Sequence, residues 1–253
     1  MSNIYKAFEN KKAFITFLTA GDPDFETSVE NFKAVARAGA DLIEIGIPFS
    51  DPIAEGPVIQ EADIRALNAG MTTDRVFDLL REVRKDVDIP IVFMTYANPV
   101  YHYGAENFFK KASEAGADGI IIPDCPFEER HEFCDAAEKY GMDFISMIAP
   151  TSEDRIKEIA SQAKGFIYVV SSLGVTGVRS EIKTDLGSII ATIKEVTDTP
   201  AAIGFGISTP EQAKKMWEYA DGAIVGSAMV RIVAEYGKDA PEKLAEYVKS
   251  MRG

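Results

Sequence analysis

The chain has 253 residues, 46% apolar and 26% charged, with 40 acidic against 27 basic side chains and a formal net charge of −13. That length suits one large domain or two small ones with a sizeable core, and the charge balance excludes the basic face on which nucleic-acid affinity depends. It also means that an anionic ligand must be held by local donors, not by a bulk positive field.

Short apolar runs alternate with helical stretches along the whole chain. Ala13–Thr19 (AFITFLT) reads as the first strand, because branched and aromatic side chains pack well on a pleated surface. Gly21-Asp22-Pro23 breaks it, and Phe25–Ala38 reads as an amphipathic helix with Val29, Phe32, Val35 and Ala36 on one side. Residues 42–45 (LIEI) form the second strand, with Glu44 inside it, where a carboxylate is expensive to desolvate. Two prolines in the next run, 46–52, exclude both strand and helix, leaving a loop that carries Asp51 and Glu55. Pro57 opens a helix to Gly70, and Thr73 caps another to about Lys85. The third strand is 90–95, followed by a loop at 96–104 and a helix to Ala115. The fourth is 119–122, then a helix over 128–140; the fifth is 142–148, then a helix capped by Thr151 or Ser152. The sixth is 166–170, followed by a Gly/Ser-rich loop at 171–183 and a helix opened by Asp185. Ala201–Gly204 and Gly222–Val225 are the seventh and eighth strands, each followed by a helix, and Pro241 opens the last one.

Eight strands, each followed by a helix, predict a parallel sheet, and 253 residues fit an α/β (β/α)8 TIM barrel with extra short helices, one domain over 1–253. An open doubly wound sheet is the alternative. Ala38-Gly39-Ala40-Asp41 before the second strand is echoed by Ala115-Gly116-Ala117-Asp118 and by Ala220-Asp221-Gly222. The polar N-terminus lacks the apolar core of a signal peptide and no apolar run reaches the ~18 residues of a membrane span, so a cytoplasmic protein is expected. Two cysteines, Cys125 and Cys134, and two histidines, His102 and His131, give no zinc spacing, and the cysteines are expected to be packing residues.

Barrel enzymes carry their chemistry at the C-terminal ends of the strands. The glycines Gly204, Gly206 and Gly226 with Ser227 follow the last two strands, where a helix N-terminus and open backbone N–H groups suit a phosphate. Gly174, Thr176 and Gly177 stand ready to close the other side. The plainer reading is that these glycines only make tight turns. Glu44 has the apolar setting of a carboxyl with a raised pKa, and Glu55 is the natural second acid. The plainer reading of Glu44 is a structural acid paired with a distant cation. The lysines cluster on helices or near strand starts, which argues against covalent imine chemistry.

The run from Glu44 to Gly56, EIGIPFSDPIAEG, together with Gly21-Asp22-Pro23, Tyr96-Ala97-Asn98-Pro99, the Gly-Val-Thr-Gly core of 171–177, Gly204-Phe205-Gly206-Ile207-Ser208 and Gly226-Ser227-Ala228, resembles the tryptophan synthase α subunit family. The motifs fall in order over nearly the whole chain. The resemblance implies retro-aldol cleavage of indole-3-glycerol phosphate to indole and glyceraldehyde 3-phosphate. It makes Glu44 the acid–base residue and Glu55 the acid that receives the indole N–H, a position usually held by Asp. By the same resemblance Phe17 and Tyr168 lie around the indole, Gly177, Gly206, Gly226 and Ser227 hold the phosphate beside Phe205, and Thr176 orders the catalytic glutamate. Ser172 stands where many members have Arg. It further implies no metal or cofactor in this chain, and a β subunit that carries pyridoxal phosphate and receives indole in an α2β2 complex. Loops 46–56 and 97–104 would face that partner, and closure of 46–56 and 171–183 would exclude water. The rival readings are another phosphate-binding barrel, such as an isomerase, a lyase active alone, or a barrel acting only as a binding partner.

Overall fold

The computed structural model describes residues 2–170, 185–204 and 206–252. In chain order the elements are β1 (Ala13–Thr19), α1 (Phe25–Ala38), β2 (Leu42–Gly46), α2 (Pro57–Asn68), α3 (Thr73–Arg84), β3 (Ile91–Met94), α4 (Ala97–Tyr103), α5 (Ala105–Ala115) and β4 (Gly119–Ile121). Then come α6 (His131–Lys139), β5 (Asp143–Phe144), β6 (Ser146–Ile148), α7 (Glu153–Ala160), β7 (Ile167–Val170), α8 (Leu186–Lys194), β8 (Ala201–Gly204), α9 (Pro210–Tyr219), β9 (Gly222–Val225), α10 (Ser227–Tyr236) and α11 (Ala240–Arg252).

The strands form one parallel sheet in the order β5-β4-β3-β2-β1-β9-β8-β7-β6. Its two ends, β5 and β6, flank Ile145 in a single run of chain, and Ile145 donates its N–H to the carbonyl of Ile120 at 2.8 Å. The sheet therefore returns on itself as a barrel, and the fifth expected strand is its one interrupted stave among the described residues. Strand side chains alternate. Ala13, Ile15 and Phe17 of β1 join the inner cluster, while Phe14 and Leu18 pack outward under the helices. Both faces are largely apolar, so most strands read in sequence as near-continuous apolar runs, with Thr16 in β1 and Glu44 in β2 as interruptions.

The repeated Asp before three strands has a common physical cause. Asp41 takes the backbone N–H of Phe14 at 2.8 Å, Asp118 that of Ile91 at 2.9 Å, and Asp221 that of Ala201 at 2.9 Å. Each carboxylate thus satisfies a donor at the start of the neighbouring strand, which would otherwise be buried unpaired. Lys11 and Arg252 join Asp41 at 2.6 and 2.5 Å, and Arg84 joins Asp118 at 2.7 Å. Gly39 and Gly116 reach these turns at φ 113° and 102°, a left-handed conformation that ends their helices.

Three local expectations are corrected. Thr72, not Thr73, caps α3, accepting the Arg75 N–H at 3.3 Å. Residues 96–104 are not a loop but contain α4. The stretch 128–140 divides into a 3-10 turn, Phe127–Glu129, and α6. Of the two possible caps on α7, Ser152 is used. The expected loop at 171–183 lies outside the described residues.

Candidate active site

Glu44 projects into the barrel because it shares the face of Leu42, two residues earlier, while Ile43 and Ile45 face the helices. In register it lies between Phe17 of β1 and Val92 of β3. It is fully buried, and neither side-chain oxygen has a hydrogen-bond partner among the described residues. The structural alternative, a pairing with a buried cation, is therefore not what the described residues provide. Burial pushes the carboxyl up to about 8, the direction expected of an acid held in an apolar site.

Two aromatic rings frame this acid, and each depends on a glycine. A Cβ on Gly46 would sit 2.6 Å from Cζ of Phe17, and one on Gly204 would sit 2.4 Å from the Tyr168 hydroxyl. Both rings lie across backbone that only glycine leaves open. The Tyr168 hydroxyl is raised well above its ordinary pKa, first by burial and then by the charge of Glu44. Glu44, Phe17 and Tyr168 thus lie together inside the barrel.

Glu55 is held by a different set of residues. It is buried on the loop that leads from β2 to α2, and the Gln60 amide donates to its backbone carbonyl at 2.7 Å. The Tyr96 hydroxyl accepts the Ala54 N–H at 3.1 Å and lies beside the Glu55 carboxyl. The Tyr96 ring stacks at a tilt on Phe49, with centroids 5.5 Å apart. The carboxyl of Asp63 on α2 faces Glu55 directly. Burial raises Glu55, and it pushes Asp63 up to about 9 with help from the Glu55 charge. Sequence reasoning missed Asp63, and it gave Tyr96 no role. A signal for Asp63 existed: it interrupts the buried stripe of Ile59, Ala62 and Ala66 on α2.

At the far side, Gly206 adopts φ 83° and Gly226 caps α10, which Ser227 opens. The first N–H groups of such a helix have no acceptor within it and the dipole favours an anion there. A Cβ on Gly226 would touch Phe17 at 3.4 Å, so this helix end adjoins the aromatic pair. Thr176, Gly177 and Phe205, with Ser172 and Gly174, lie outside the described residues. Among the described residues no group of three or more His, Cys, Asp or Glu is placed to hold a metal. Cys125 and Cys134 are free and partly buried.

The family model described as tryptophan synthase alpha chain matches residues 5–252. A protein of that description from Lacticaseibacillus casei is 51% identical over 252 residues, covering 100% of this chain and 95% of its own. One from Lactiplantibacillus plantarum is 50% identical over 253 residues, covering 100% and 96%. Among solved structures, the tryptophan synthase subunit alpha of Legionella pneumophila is similar with TM-score 0.90 and 38% identity, over 100% of this chain and 97% of that one. A chain from the tryptophan synthase a2b2 complex of Pyrococcus furiosus is similar with TM-score 0.88 and 39% identity, over 96% and 98%.

Proposed function

This chain belongs to the tryptophan synthase alpha chain family and is a carbon–carbon lyase of that family, and from this premise we propose that Glu44 and Glu55 divide the acid–base work of its reaction. The reaction is retro-aldol cleavage of indole-3-glycerol phosphate to indole and glyceraldehyde 3-phosphate. Glu44, protonated near neutrality, gives its proton to indole C3. The positive charge that appears on the ring nitrogen is met by ionised Glu55 at the N–H. The Glu44 carboxylate then takes the proton of the adjacent side-chain hydroxyl. The C3–carbon bond breaks, its electron pair returns to the ring, and the aldehyde leaves. Protons balance, because the one that Glu44 gives to carbon it regains from the hydroxyl.

The single observation that carries the assignment is a fully buried, unpartnered acid aimed into the barrel beside two aromatic rings. Phe17 and Tyr168 would hold the indole. Gly206, Gly226 and Ser227 would hold the phosphate through backbone donors, which suits a chain of net charge −13. Gly177, Thr176 and Phe205 complete this assignment from the family motif. The chain is taken to work as a single domain over 1–253 in the cytoplasm, where this biosynthetic family acts; no described helix is long and apolar enough to cross a membrane.

The partner is a β subunit in an α2β2 complex, as in the Pyrococcus furiosus structure. The cofactor, pyridoxal phosphate, belongs to that β subunit, and this family carries none. Ile53 and Tyr101, 71% and 74% exposed on the loop after β2 and on α4, support the docking of that face. The deciding experiment is indole release by Glu44→Gln. The variant should fold and bind substrate but release no indole, and release near the wild-type rate would overturn the role of Glu44. Stimulation of wild-type release by a β subunit separates this reading from a lyase that acts alone.

A further inference from the structure

Asp63 takes no part in the chemistry above, yet its setting is unusual for a helical acid. It lies on the face that α2 buries, with Ile59, Ala62 and Ala66, where an amphipathic helix carries apolar residues. Its carboxyl meets that of Glu55 and also takes the backbone N–H of Phe49. One side chain therefore grips the loop after β2 near both of its ends. Oε2 of Glu55 is buried, and no conventional donor among the described residues reaches it. Among the described residues, no cation acts on either carboxyl of the pair. Arg65, two residues along α2, is committed to Asp22 at 2.7 and 2.8 Å. The Tyr96 hydroxyl lies beside Glu55, the Thr19 hydroxyl faces Asp63 from the end of β1, and Asp124 adds negative charge across Tyr96. On α10, which packs against α2, Arg231 and Glu235 are exposed to solvent. Two buried carboxyls in contact cannot both be ionised at little cost.

We propose that Asp63 is a positioning residue for Glu55: the two carboxyls share one proton, so that Asp63 pins the loop to α2 as a donor while Glu55 keeps an ionised oxygen for the substrate's ring N–H. This rests on the role given to Glu55 above. Burial and the Glu55 charge raise Asp63 to about 9, which places the shared proton on Asp63 near neutrality. When that proton is lost, two negative charges face each other and the loop loses its anchor.

The test uses the full chain in a Glu44→Gln background, which removes the titration of Glu44. The probe is an indole bearing an alkyl phosphate at C3 and lacking the hydroxyl needed for cleavage. With Asp63 present, its affinity should fall about tenfold between about pH 8 and 10, as the shared proton leaves. With Asp63→Asn, whose amide is a donor that never titrates, the fall should stay under about threefold. Equal pH dependence in the two proteins overturns the proposal. Infrared difference spectra give a readout independent of binding. A carbonyl band of a protonated carboxylic acid should be present near neutral pH in Glu44→Gln and absent once Asp63→Asn is added. No such band in Glu44→Gln also overturns it. A wild-type chain that releases no indole would instead sink the proposed function, and the infrared band would then decide the dyad by itself.

Discussion

Glu44 is an acid that folding alone would disfavour. Its carboxyl is raised from 4.5 to about 8 by burial, so the folded state holds a proton that the unfolded state has already released. Stability from this group is greatest below its unfolded pKa and falls as pH rises through 8, with an upper bound of about 5 kcal/mol. Glu44→Gln should therefore be more stable than the wild type, and the gap should widen from pH 5 to pH 9 in thermal unfolding. A constant gap would mean that Glu44 is not buried protonated. The same carboxyl predicts the rate profile. Indole release should decline above about pH 8, as the acid that protonates C3 is lost. It should decline at the acid end as Glu55, itself raised by burial, takes up a proton. Glu44 could be picked out from sequence because a charge stood inside an apolar run. Glu55 stood out as a second acid on the loop after β2, and Asp63 escaped because its partner lies across a loop whose path sequence does not describe.

At the scale of elements, the site depends on where strands stop and what their last residues lack. Gly46 ends β2 and admits the Phe17 ring. Gly46→Ala should cost about 1–3 kcal/mol, since the intruding methyl meets a packed ring. Adding Phe17→Leu removes the atoms it strikes, so chemical denaturation should show the pair to be less destabilised than the sum of the two. A strictly additive result would mean that the ring is free to move aside. The helix α4 teaches a complementary point. Tyr96-Ala97-Asn98-Pro99 looks like a loop, but Pro99 falls in the first turn, where its missing N–H would have no acceptor anyway. The Ala97 N–H is taken by Asp124 at 2.9 Å, from a residue 27 positions away. No window of sequence contains that cap.

The whole molecule is held closed at the strand N-termini by the repeated aspartates, opposite the end that carries the chemistry. Asp118 serves the Ile91 and Asn3 backbone N–H groups and Arg84 together. Asp118→Ala leaves all three without it and should cost about 3–5 kcal/mol in urea unfolding, as when a buried ion pair loses one partner. A loss under about 1 kcal/mol would show that water replaces it freely. At the opposite end, exposed Tyr101 predicts association rather than stability. Tyr101→Asp should weaken stimulation of indole release by a β subunit while leaving thermal stability unchanged, as a titration with that subunit would show.

The order of the strands, the barrel class and the candidate acid Glu44 followed from sequence alone, whereas α4 did not. Periodicity and turn residues are local properties, and a charge within an apolar run is conspicuous wherever it occurs. Tertiary structure decided what a linear pattern cannot carry. It closed the sheet through a strand interrupted at Ile145, and gave the echoed aspartates their task at neighbouring strands. It left Glu44 without a partner among the described residues and set Asp63 against Glu55. Each of these depends on which atoms meet after the chain has turned back on itself, because desolvation and charge act through space and not along the chain.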